Sequence, residues 1–296
     1  RHQNNNTQRL NKTYVNRRQS VLQNHLGTIM YAHSFHILEF KIENDLEMLE
    51  KNVHDFCFMK GLIFFKPDRN INEKSNDLAS HLPVTLFPTS FAKKEFEYAQ
   101  NVQKIFQKLI FNISQDHDFL MNTLKTVILV DDFTRRLWNI YEKVHQEGIA
   151  QPVSLGIIRN DFMLDQNKSQ ETTQLSQIEI NTISCSFGAA SCQVSKLHEH
   201  NLKLTGNQQF LSKLAPNNNI QVLAHGLVNA WKMYQNYEAI LVFLVIDLER
   251  NIGDHRLLEY ECTTLEPNCK ILRYTLNDFA QRGHLDGHKC LIIGTK

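Results

Sequence analysis

Gln177-Ile178-Glu179-Ile180-Asn181-Thr182-Ile183-Ser184-Cys185-Ser186-Phe187-Gly188 sets oxygen-bearing side chains two residues apart, Glu179 with Asn181 and then Ser184 with Ser186. In an extended backbone, side chains at i and i+2 point to one face. Glu179 and Asn181 are therefore expected to face one site, with the apolar residues between them anchoring a strand. A carboxylate beside an amide oxygen suits a hard cation such as Mg²⁺, which takes oxygen ligands and keeps phosphate oxygens in its shell. The two serines just beyond would orient a polar substrate. Spacing alone favours a plainer reading, a half-buried strand that runs into a Ser-rich turn, because alternation is the ordinary strand signal.

Outward from this segment the chain alternates strands with helices. Residues 153–158 and 176–181 read as strands, 220–234 as a helix, 239–246 as a buried strand and 254–262 as a helix. Residues 271–274 and 290–293 read as further strands. Such alternation argues for α/β architecture, with a boundary near Asn236 ahead of a Rossmann-like unit. Before Gly148 the pattern is helical. Leu46, Leu49, Val53 and Phe56 recur every three to four residues, and Gly61 is a stop signal. Pro67, Pro83 and Pro88 break the next stretch. Residues 91–113 read as a long amphipathic helix with Phe96, Ala99, Val102, Phe106 and Leu109 on one stripe. Residues 116–130 read as a second helix. Asp131 or Asp132 caps a third, whose expected core face is Phe133, Leu137, Ile140, Tyr141 and Val144 and which Gly148 closes. These stripes are read as core packing.

Composition excludes several classes. A hydrophobic content of 42% with 21% charged residues belongs to globular proteins. The longest apolar run, residues 239–246, is too short for a bilayer, which takes roughly 20 residues. No membrane partner is expected. Residues 1–38 hold Arg1, Arg9, Lys12, Arg17 and Arg18 and no acid, which leaves 27 basic against 31 acidic residues beyond them. A body of that sign offers no electrostatic case for nucleic acid. The basic head is open between a disordered tail, an organelle-targeting segment and sequence that is not native coding. The six cysteines form no Cys-x-x-Cys pair, so free thiols in a reducing, cytoplasmic compartment are expected. His198 with His200, and His284 with His288, read as solvated surface histidines. Residues i and i+2 do not share a helix face, and neither pair has further ligands at zinc-like spacing.

The opening segment resembles the metal and substrate segment of eukaryotic glutathione synthetases, which carry a closely similar Ile-Glu-Ile-Asn-Thr-Ile-Ser. Leu86-Phe87-Pro88, Asp131-Asp132-Phe133-Thr134, Glu147-Gly148-Ile149-Ala150-Gln151, Leu155-Gly156-Ile157-Ile158-Arg159 and Glu249-Arg250-Asn251 recur in the family's order and approximate spacing. The resemblance runs from about Asn44 to the C-terminus. It implies an α/β fold in which a helical N-terminal region leads into the start of an ATP-grasp-type domain and an incomplete Rossmann-like substrate domain. On this reading residues 1–43 are an unmatched basic, disordered extension, residues 44–236 belong to the ligase domain, and residues 237–296 to the substrate domain.

The resemblance also implies roles. Glu179 is assigned to Mg²⁺ and ATP and Asn181 to Mg²⁺. Arg159, Ser184, Cys185 and Ser186 are assigned to γ-glutamylcysteine, as are Glu249, Arg250 and Asn251. Position alone recommends two of these. Arg159 is expected at the carboxyl end of a strand, where its fork of donors suits a carboxylate, although spacing favours a surface pair with Asp161. Glu249-Arg250-Asn251 follows the strand at 239–246, where open α/β sheets bind ligands. The family usually has Gln four residues past the Asn; here that position is His255, whose ring nitrogens can still donate and accept hydrogen bonds. Gly188-Ala189 stands where the family often has two glycines.

The implied reaction is ATP-dependent ligation of γ-glutamylcysteine and glycine through an acyl phosphate, in a homodimer. Such chemistry calls for cationic clamps on the phosphoryl group and a mobile glycine-rich lid. The 296 residues contain no Gly-Gly pair and no Gly-x-x-x-x-Gly-Lys-Ser/Thr. The first expectation is therefore an incomplete ligase, inactive alone. The alternative is a short non-catalytic product that acts as a dimerisation partner. A small-molecule-binding α/β module is a third reading, which the ordered motifs disfavour.

Overall fold

In the computed structural model, residues 46–66 begin the core by burying Leu49, Val53 and Cys57 along helix α1 (Leu46–Met59). The helix ends as its sequence suggests. Gly61 adopts a φ of +74°, and the Leu62 amide bonds back to the Cys57 carbonyl at 2.8 Å, a pattern that a left-handed glycine makes possible. The structure describes residues 29–32, 46–66, 78–151, 153–167 and 172–294. Most of the expected basic extension lies outside these; within it, β1 (Ile29–Ala32) is a strand.

The described residues fall into two units. The first takes the chain up to Ala92, with Ser186–Ile220 and Leu248–Leu258. The second takes Lys93–Cys185, Gln221–Asp247 and the chain from Glu259. In the first unit β2 (Ile63–Lys66) pairs antiparallel with β3 (Leu78–His81), and β4 (Thr89–Ala92) pairs parallel with β1. Phe91 and Ala92, expected to open the long amphipathic helix, are strand instead.

A helix unassigned in the sequence reading, α5 (Gly188–Leu204), is the centre of this unit. Ala190, Val194 and Leu197 join Val53, Cys57, Leu62 and Leu82 in one apolar cluster. The helix also buries polar residues. His198, expected on the surface, has no exposed area. Its Nε2 donates to the Thr85 carbonyl at 2.8 Å, and burial lowers its pKa to about 4. Asn201 Nδ2 donates to the Leu86 carbonyl at 2.7 Å, and Thr85 Oγ1 to the Phe87 carbonyl at 2.9 Å. The His198 and Asn201 bonds pin the Leu86-Phe87-Pro88 segment to α5 and the Thr85 bond closes it on itself, satisfying backbone groups that its irregular path leaves without strand partners.

In the second unit α2 (Lys93–Gln115), α3 (His117–Val130) and α4 (Asp132–Glu147) follow one another. Asp116 and Asp131 cap α3 and α4 by accepting the Phe119 and Thr134 amides, and Gly148 closes α4. The expected core face of α4 is not a core. Phe133 is 71% exposed, and Leu137, Ile140 and Val144 are exposed too, while Trp138 is buried. Periodicity identifies a stripe, but burial needs a partner surface that helical spacing does not specify.

The strand expected at 153–158 is irregular; the strand that forms is β5 (Arg159–Asn167), antiparallel to β6 (Thr172–Asn181). Pairing with β6 decides where β5 lies, and Arg159 consequently opens a strand rather than closing one. The helix expected at 220–234 is α6 (Asn219–Met233). Further along, β7 (Leu241–Val245) and β8 (Ile271–Thr275) pair parallel, joined through α7 (Ile252–Leu265), which is the βαβ connection a Rossmann-like unit requires. Thr275 and Asp278 then form a capping box on α8 (Leu276–Arg282). A separate antiparallel pair, β9 (Gly283–Leu285) with β10 (Leu291–Ile293), comes last.

Candidate functional site

Register places the expected metal and substrate residues opposite one another on the β5–β6 hairpin. Arg159 pairs with Asn181 and Asp161 with Glu179, and a bulge follows Asp161. Residues two apart on each strand share a face, and cross-strand partners sit close enough to interact. Asn181 Nδ2 donates to Glu179 Oε1 at 3.0 Å and lies 3.5 Å from Asp161 Oδ2. Glu179 and Asn181 therefore face one side, as the two-residue spacing requires. Asp161 accepts both Nε (2.9 Å) and Nη2 (3.0 Å) of Arg159, and Glu179 is 3.6 Å from Nη2. The bond to Asp161, opposed by partial burial, holds the Arg159 guanidinium more firmly charged than usual. The cluster offers two carboxylates and an amide within reach of one another, the oxygen donors that hard cations take. Among the described residues, no three of His, Cys, Asp and Glu are placed to hold a metal.

Beyond Asn181 the strand stops. Ser184 has a φ of +53° and Phe187 one of +72°, so the two serines do not continue the extended alternation. Cys185 turns its thiol inward, donating to the Asn181 carbonyl at 3.0 Å and the Ile157 carbonyl at 3.2 Å. Ser184 is exposed, and Ser186 is half-buried in the first unit.

The Glu249-Arg250-Asn251 tripeptide also belongs to the first unit, just ahead of α7. Its backbone is docked on β2, since Phe65 N–H donates to the Arg250 carbonyl at 3.0 Å and Arg250 Nε reaches the Phe65 carbonyl at 3.4 Å. Glu249 Oε1 accepts the Asn251 amide at 2.9 Å, and Oε2 lies 3.8 Å from His255 Nδ1. His255 thus shares the cluster of the tripeptide. Asp254 is a member that sequence reasoning missed. Its carboxylate is 3.5 Å from Asn251 Nδ2 and accepts the Phe187 and Ala190 amides, partners more than 60 residues away that no local pattern reveals. An open hollow of about 670 Å³ lies elsewhere, at the α2–α3 junction around Phe111, Gln115, His117 and His145, and includes none of these residues.

Residues 43–296 match the family model of the eukaryotic glutathione synthase ATP-binding domain. The chain is 36% identical over 255 residues to a glutathione synthetase of Xenopus laevis, covering 85% of this chain and 52% of that protein. Against the glutathione synthetase of Homo sapiens the identity is 35% over 252 residues, with the same coverages. The chain thus spans about half the length of these relatives. The solved apo structure of a glutathione synthetase-like effector from Globodera pallida shares the fold, with a TM-score of 0.69 over 85% of this chain and 56% of that one at 24% identity. By its match from residue 43 to residue 296, the chain belongs to the eukaryotic glutathione synthase family.

Proposed function

We propose that this chain carries the peptide- and Mg-nucleotide-binding determinants of a glutathione synthetase. In the reaction, ATP phosphorylates the cysteinyl carboxylate of γ-glutamylcysteine. The amine of glycine then attacks the acyl phosphate, and ADP and phosphate are released. The observation that carries the reading is the convergence of Arg159, Asp161, Glu179 and Asn181 on one face of the β5–β6 hairpin. Homologues named glutathione synthetase support the ligase class.

The donor set fits Mg²⁺, because this ion is held by one or two carboxylates and completes its shell with water and phosphate oxygens. Glu179 and Asn181 would hold it, with Glu179 also facing ATP. When bound, the ion neutralises charge on the transferring phosphoryl group. Arg159 binds a substrate carboxylate through the Nη1 side of its fork, since Asp161 takes the Nε–Nη2 edge and fixes its direction. Ser184, Cys185 and Ser186 border the peptide, and Glu249, Arg250 and Asn251 bind it, with His255 beside Glu249. The proposal extends to a cytoplasmic homodimer.

Residues 1–296 hold neither a Gly-Gly pair nor a P-loop-type motif, so this chain alone is proposed to bind without turning over. ADP release that requires ATP, γ-glutamylcysteine and glycine together, measured on purified 1–296, would contradict that. Glu179→Ala is expected to abolish Mg-dependent nucleotide binding while leaving the unfolding midpoint unchanged. Undiminished nucleotide binding in this variant would reject the metal assignment.

A further inference from the structure

Helix α5 starts without a cap of its own. Phe187 occupies the cap position in a left-handed conformation and offers no side-chain acceptor. A bulky L-residue holds that conformation only where its surroundings impose it, and the first amides of a helix need acceptors from outside it. Asp254 supplies both requirements. Its Oδ2 accepts the Phe187 amide at 2.7 Å and its Oδ1 the Ala190 amide at 2.8 Å. The side chain is 7% exposed, and its charge lies at the positive end of the helix.

Asp254 is itself firmly placed. Its neighbour Gly253 packs so closely on the Gly61 turn that an added Cβ would collide with the Gly61 carbonyl oxygen. The same carboxylate lies 3.5 Å from Asn251 Nδ2. One group therefore ties the residue after Ser186 to the Glu249-Arg250-Asn251 turn.

We infer that Asp254 is a positioning residue, which holds Ser186 and Asn251 in their binding arrangement by capping α5 from α7. The inference rests on the reading of these two segments as peptide-binding. Both carboxylate oxygens face N–H donors, so an amide at this position keeps one acceptor and turns its own N–H₂ toward the other donor.

The test is calorimetric titration of 1–296 with γ-glutamylcysteine, well below the unfolding midpoint, together with hydrogen exchange at the Phe187 and Ala190 amides. Asp254→Asn is expected to weaken binding about tenfold and to speed exchange at both amides. Asp278→Asn, which breaks the capping box of α8, is expected to lower the midpoint and leave affinity unchanged. If Asp254→Asn lowers only the midpoint, with affinity intact, the residue is merely structural and the inference is overturned. Asp254→Glu, which keeps both oxygens, carries the test where the Asn variant does not fold. Retained amide protection with retained affinity is expected, and lost affinity with both amides still protected overturns the inference. Failure of the unsubstituted chain to bind the peptide would overturn the underlying peptide reading, a result separable from any that a variant produces.

Discussion

The two units bury different things. The first packs apolar side chains around α5 and threads polar ones, His198, Asn201, Thr205, Asn207 and Asp254, through the same interior. Each of those polar groups has a hydrogen-bond partner: His198, Asn201 and Asn207 donate to loop or turn residues, Thr205 donates to the Asn201 carbonyl of α5, and Asp254 accepts the Ala190 amide of α5. The second unit keeps the charges of its β5–β6 hairpin half-exposed and leaves the apolar stripe of α4 in solvent. The contrast teaches that an apolar stripe in sequence does not locate a core, and that a histidine in a polar-looking stretch can be part of one.

Four measurements sharpen or break this contrast. The largest effect belongs to Leu197, which has no exposed area; Leu197→Ala should cost about 4 kcal/mol in urea unfolding. His198 comes next. Its folded pKa of about 4 lies below its ordinary 6.5, so between these values the unfolded chain binds the extra proton. Stability is therefore full above about pH 6.5 and falls as pH drops toward 4, by about 3 kcal/mol in all. His198→Gln should flatten that slope; an unchanged slope would mean another group carries it. Gly253→Ala forces the α7 start away from the Gly61 turn and should cost about 2 kcal/mol. Leu137→Ala, on the exposed stripe of α4, should stay within about 0.5 kcal/mol. A loss at Leu137 comparable to that at Leu197 would break the comparison.

Legibility followed locality. Helix α1 and its glycine stop, the Asp131 cap and the Gly148 closure are set by neighbours a few residues away, and the sequence displays them. Glu179 and Asn181 are legible for the same reason, since strand pleating alone puts them on one face. Helix α5 was illegible because its stripe mixes Ala, Cys, Val and His and its cap comes from Asp254, 67 residues beyond Phe187. The misplaced strand at 153–158 has a similar cause: the apolar run marks a strand only if a partner pairs with it, and β6 pairs with 159–167 instead. Asp161 was visible only as a surface partner of Arg159, because its place opposite Glu179 depends on register.

The proposed binding of γ-glutamylcysteine through the family motifs is read by titrating 1–296 with this peptide beside Arg250→Ala. Arg250 is exposed, so its removal should leave the fold intact. Saturable one-site binding is expected of the unsubstituted chain, with its loss in the variant and an unchanged unfolding midpoint. Absent binding, or equal affinity in the two proteins, would contradict it.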